Sequence, residues 1–131
     1  MAMTENAPHL EALKARLLAM REATRRRALA LEARYRRRRH PMEQALQEFA
    51  RSLEHLRRQG EEGRYPASLL RPALMREELR LKHLEAELAR LEEGFKKEQA
   101  LLWAKVRTRA ARVLARAGVN LDLDEFFPEG Q

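Results

Sequence analysis

The sequence predicts an all-α protein: a long antiparallel helical hairpin of coiled-coil type, kinked at Pro41 and ending in a short acidic tail. Three observations carry this. Leu, Ala, Glu and Arg dominate the 131 residues, with 36% charged and 5% aromatic, which is the usage of long helices and coiled coils. β-branched residues are scarce: the valines are Val106, Val113 and Val119, and isoleucine is absent. That composition disfavours a sheet. Finally, apolar residues recur in steps of three and four, interrupted by only five Gly and five Pro, as one face of a helix requires.

The first arm is expected over residues 7–59. Thr4 or Asn6 can cap a helix opening at Ala7-Pro8, since proline is tolerated in a first turn. The apolar stripe then runs Leu10, Leu13, Leu17, Met20, Thr24, Ala28, Leu31 and Tyr35. Pro41 removes an intrahelical hydrogen bond and disfavours helical geometry at His40. Yet the stripe resumes at Met42, Leu46, Phe49, Leu53 and Leu56, and Tyr35 to Met42 is one heptad. An arbitrary loop has no reason to keep that phase, so one kinked helix is predicted, with Gly60 as its C-terminal cap. The alternative is a three-helix bundle in which residues 7–39 fold back at Pro41, leaving much of the final helix unmatched.

Residues 60–66 form the loop, and the second arm spans 67–117. Ala67 and Pro72 are rival starting points for it, with Ser68 and Arg71 competing beside them. Its stripe is Leu74, Leu81, Leu84, Leu88, Leu91, Phe95, Gln99, Leu102, Val106, Ala110, Val113 and Ala117. Gly94 weakens it by about 1 kcal/mol relative to Ala. Gly118 ends it, with Val119 supplying the apolar contact that accompanies such a cap. Two arms of about 50 residues, roughly 75–80 Å each, about one short loop imply antiparallel pairing. Centred on Gly63, that pairing sets Arg34 and Arg36 to Arg39 against Glu85, Glu87, Glu92 and Glu93, and Glu43 and Glu48 against Arg80 and Lys82. Residues 1–118 then form a single helical domain, and 119–131 a tail. One narrow stripe per arm leaves a marginal core, so a homo-oligomer or a place in a larger complex is expected.

Catalytic chemistry is missing. There is no cysteine, so disulfides, thiolates and Cys-type zinc sites are ruled out together. The serines are Ser52 and Ser68, and helix or capping roles suffice for both. His9, His40, His55 and His83 stand too far apart to share a helix turn, and none follows a Glu by three, as metal sites on helices require. His83 and Glu87 are one turn apart and read as a solvated ion pair. Glu61-Glu62, Glu77-Glu78 and Glu92-Glu93 read as solvated surface, and no glycine-rich phosphate loop is present. No enzyme activity, cofactor, metal or small-molecule substrate is expected. The N-terminus from Met1 to Glu11 has no apolar core of a leader, and no run reaches the ~18 apolar residues of a membrane span. A cytoplasmic protein is expected.

What remains is charge. The net charge is +7. Residues 1–40 hold eleven Arg and Lys against four Glu, while residues 99–118 hold Lys105, Arg107, Arg109, Arg112 and Arg116 with no acid. Arg25, Arg26 and Arg27 form one cluster, and Arg36, Arg37, Arg38 and Arg39 another. A run of consecutive residues encircles a helix, and Arg38 must approach the apolar seam, where its stem can snorkel outward. Lys105, Arg109, Arg112 and Arg116, at i, i+4, i+7 and i+11, instead share one face. Guanidinium forks on such a face suit phosphate oxygens. The contact residues expected are therefore Arg25, Arg26, Arg27, Arg36, Arg37, Arg39, Lys105, Arg109, Arg112 and Arg116. Tyr35 and Trp103 are the aromatics near these clusters and fit the seam better than a base-stacking platform. Ala100 to Ala117 is amphipathic and basic enough for a membrane surface, but the hairpin seam competes for its apolar face.

The tail from Val119 alternates Asp122, Asp124, Glu125 and Glu129 with Leu121, Leu123, Phe126 and Phe127. Such a segment either docks through Phe126 and Phe127 into a basic, apolar groove of another protein or folds back. In the fold-back reading its acids neutralise Arg109, Arg112 or Arg116, and Asp122 or Asp124 caps a short turn. Together these features describe a non-catalytic helical adaptor or assembly subunit whose basic surface contacts a DNA or RNA backbone or an acidic protein. The rival is a purely structural coiled-coil component (stalk, spacer or chaperone-like holder) with no nucleic-acid contact.

Overall fold

The computed structural model describes residues 2–128, with side chains from His9 onward. It is an all-α helical hairpin. Helix α1 runs Ala2–Glu61, α2 runs Ala67–Ala117, and the single turn α3 covers Leu123–Phe126. Helix α1 passes through Pro41 without interruption, as the conserved phase of the stripe requires, and the fold-back of a three-helix bundle does not occur. Proline is tolerable there because Pro41 and Arg37, whose carbonyl loses its helical donor, are both exposed and solvent can replace the bond. At the other end α1 begins at Ala2, ahead of the expected Ala7. The side chains of the suggested caps Thr4 and Asn6 lie outside the described residues.

The expected stop at Gly60 is corrected. The helix continues to Glu61, and Gly63, at φ 70°, is the left-handed residue that ends it. The amide of Gly63 donates to the Gly60 carbonyl at 3.2 Å and that of Arg64 to the Gln59 carbonyl at 2.8 Å, the paired closure of a Schellman motif. Gly60 serves differently: a methyl group there would collide with the Leu70 side chain. Because Gly60 faces Leu70, facing positions are centred nearer Tyr65 than Gly63. Helix α2 starts at Ala67, with the Pro66 carbonyl accepting from the amides of Leu69 and Leu70; Pro72 lies inside it. Its end repeats the first motif. Gly118, at φ 67°, donates to the Ala115 carbonyl and Val119 to that of Leu114, and Val119 packs on the core.

The chain gathers into two compact units, residues 1–32 with 95–131, and residues 33–94; the tail thus belongs with the first. That unit holds the core: Leu17, Ala28, Trp103, Val106, Ala110, Leu114 and Phe127. Ala28 and Ala110 are its smallest members. Thr24 is buried beside them because its hydroxyl donates to the Met20 carbonyl at 2.9 Å, which satisfies the one polar atom it brings inside. In the second unit Tyr35 and Leu53 are buried, while Met42, Leu46, Phe49, Leu56, Leu74, Leu81, Leu84, Leu88 and Leu91 are half-buried. Leu69, Met75 and Leu79 stay exposed.

The glycines give a direct check. A methyl at Gly94 meets nothing within 4 Å, so Gly94→Ala should raise stability by about 1 kcal/mol through helix propensity. Gly118→Ala should lower it by about 1 kcal/mol through left-handed strain. Denaturant unfolding monitored by circular dichroism measures both, and equal signs would contradict this account of the two positions.

Candidate functional site

The structure brings Arg25, Arg26, Arg27, Lys105, Arg109, Arg112 and Arg116 into the first unit, all exposed. Arg36, Arg37 and Arg39 lie in the second and are also exposed. So is Arg38, which the sequence had placed beside the seam. Arg39 is held by Glu43 one turn on and sits 5.8 Å from the centre of the Tyr35 ring. The Glu43 carboxylate, with Tyr35 second, raises its pKa above the ordinary arginine value. Arg36 is likewise engaged within the chain. Among the described residues, none of the other nine forms an ion pair.

Helix geometry decides which of these work together. At about 100° per residue, Arg25, Arg26 and Arg27 point in three directions around α1. Lys105, Arg109, Arg112 and Arg116 instead share one flank of the buried Val106–Ala110 line. Trp103, Arg107 and Leu114 lie on the opposite flank, and there the tail packs. After Gly118 the chain turns, Asp122 caps α3 by accepting the Asp124 amide at 3.0 Å, and Phe127 ends fully buried in the core. Leu121, Leu123 and Phe126 pack partly against the same cluster. Arg107 fastens the segment, donating to the Asp124 carboxylate and, at 3.4 Å, to the Phe127 carbonyl.

The fold-back thus carries a correction: its acid meets Arg107 and, among the described residues, none of Arg109, Arg112 and Arg116. Glu129 lies outside the described residues. Docking of Phe127 on another protein would first require its release from this core. Sequence reasoning missed Arg107, Leu114 and the burial of Trp103 as one set. The signal was present, because the three lie on one flank of α2 and need cover that α1 alone does not give.

In the second unit Ser52, His55 and Glu77 line an open groove of about 310 Å³, but no hydrogen bond joins them among the described residues. Glu77 is instead paired with Arg80 at 3.2 Å. Among the described residues no three His, Asp or Glu side chains converge as a metal site would need, and no helix is long and apolar enough to cross a membrane. The chain matches no known protein family, no characterised protein and no solved structure.

Burial and exposure rank the tail contacts. Removing the Phe127 ring leaves a cavity in a closed core and should cost about 3 kcal/mol or more. Asp124→Asn breaks a half-exposed ion pair and should cost below about 1 kcal/mol. Equilibrium unfolding of the two variants should show that order; a larger loss for Asp124→Asn would mean the tail is held by charge.

Proposed function

We propose that this chain is a non-catalytic helical adaptor that binds the phosphate backbone of duplex nucleic acid through Lys105, Arg109, Arg112 and Arg116, in the cytoplasm. One observation carries the reading. Four cations stand exposed on a single helix face with no carboxylate partner among the described residues, although an acidic segment packs on the same helix. A surface whose charges served only solubility would lose little by pairing them with that segment. From Lys105 to Arg116 the helix rises about 16 Å, along which duplex DNA presents about ten phosphate charges, so each cation has a phosphate within reach. Single strands are a poorer fit. They are held by bases stacking on exposed rings, and all seven aromatic side chains are buried or half-buried. Backbone contacts of this kind bind without reading sequence.

The structural reading keeps one observation of its own. Leu69, Met75 and Leu79 are exposed in the second unit, and contact with another helix, from a second copy or a larger assembly, would cover them. Sedimentation at several protein concentrations tests that part separately.

Binding of a 20-base-pair duplex, followed by fluorescence anisotropy, tests the phosphate reading. Four neutralised phosphates give a slope of about −3.6 in log affinity against log salt, hence a loss of about a hundredfold between 50 and 200 mM. Replacing all four cations with Gln should abolish binding, and two unrelated duplex sequences should bind alike. No binding at 50 mM salt, or undiminished binding by the Gln variant, refutes the proposal.

A further inference from the structure

The start of α1 and the end of α2 enclose an open groove of about 730 Å³ in the first unit. Its floor is apolar, made of Leu10, Leu13, Val113 and Val119. Its polar lining is Arg16 from α1, Arg116 from α2 and His9, so the two arginines make it positive. Among the described residues neither arginine has a carboxylate partner, and nearby Glu11 is taken by Lys14 at 3.8 Å. Two walls of positive charge over a floor of leucine and valine select a ligand that carries both acids and apolar side chains. Phosphate alone has no use for such a floor.

We propose that this groove docks an acidic amphipathic segment of a partner protein, with leucine- or phenylalanine-like side chains on the floor and carboxylates on Arg16 and Arg116. The binding mode is that of a helix laid in a groove. Guanidinium–carboxylate pairs at its edges fix register and polarity. The chain already contains one instance of this chemistry. Its own tail buries Phe127 and sets Asp124 on Arg107. That segment is committed on the flank of α2 that carries Trp103 and Arg107, so it leaves the groove to another occupant. The inference shares Arg116 with the phosphate reading but does not need that reading to hold, because Arg16 and the apolar floor lie outside the phosphate face.

The test uses the full chain and a fluorescein-labelled synthetic peptide of residues 120–131, which has the required alternation of acids with Leu and Phe. Saturable binding is expected. Arg16→Gln and Leu10→Ser should each weaken it about tenfold, an effect typical of a charge-assisted or apolar contact at a site's centre. Arg107→Gln should leave it unchanged. Neither Arg16 nor Leu10 belongs to the core, and unaltered thermal melts of both variants confirm that the fold is kept. Three results overturn the proposal. One is no saturable binding. The second is binding sensitive to Arg107→Gln and indifferent to Arg16→Gln, which means the peptide replaces the tail. The third is binding insensitive to Leu10→Ser and fully displaced by a DNA duplex, which makes the groove part of the phosphate face.

Discussion

Everything in this fold follows from the width of one apolar stripe. Residues spaced three and four apart cover only a narrow side of a helix, and two such stripes facing each other leave their own margins wet. The second unit shows the consequence. Along its paired stripes most leucines stop at half-burial, and only Tyr35 and Leu53 are closed off. The first unit adds a third wall. There Phe127 and its neighbours close the margin formed by Trp103 and Leu114, and full burial reaches Leu17, Ala110 and Phe127. A stretch of chain that reads as an appendage therefore makes the best-packed part of the protein.

This also explains what could be read beforehand. Every apolar position assigned to the first arm is at least half-buried, from Leu10 through Leu56, and so is every one assigned to the second except Ala117. Periodicity finds these because any partner helix at all buries them. Persistence of phase across Pro41 was readable for the same reason: the stripe records which side faces the partner, and one exposed proline does not change that. The turn was harder. Gly60 and Gly63 both suit a helix end, and local propensity cannot choose between them. The choice lies with Leu70, which needs the space over Gly60 and so leaves Gly63 for the left-handed cap.

Charge was legible in amount and less so in pairing. Matching acids with bases across two arms predicts many contacts, but long side chains on one helix meet sooner at i+3 and i+4. Four ion pairs among the described residues are of that kind: Lys14 with Glu11, Arg39 with Glu43, Arg58 with Glu54 and Arg80 with Glu77. Arg57 with Glu78, at 3.3 Å, is a pair that crosses between α1 and α2. Glu92, expected opposite the arginine run, acts on Arg39 only as the weakest of the raising influences on it. Exposed pairs of this sort contribute little each, so orientation of the hairpin rests on the apolar seam and the short loop.

The candidate interface depends on which arginine the tail meets. Had Asp124 met Arg109, the basic flank would be part of an internal salt-bridge lattice and phosphate would compete with it. Pairing with Arg107 puts the acid across the Val106–Ala110 line instead. That placement is imposed by apolar packing: Phe127 must reach the core beside Trp103 and Leu114, and Asp124, three residues earlier on a single turn of helix, arrives where Arg107 already points. Electrostatics then follows packing. Because the tail is anchored by a ring with no exposed surface, added salt should loosen the Arg107 contact without freeing the segment. The separation of acid from basic face is thus a property of the core, and conditions that weaken surface charge leave it intact.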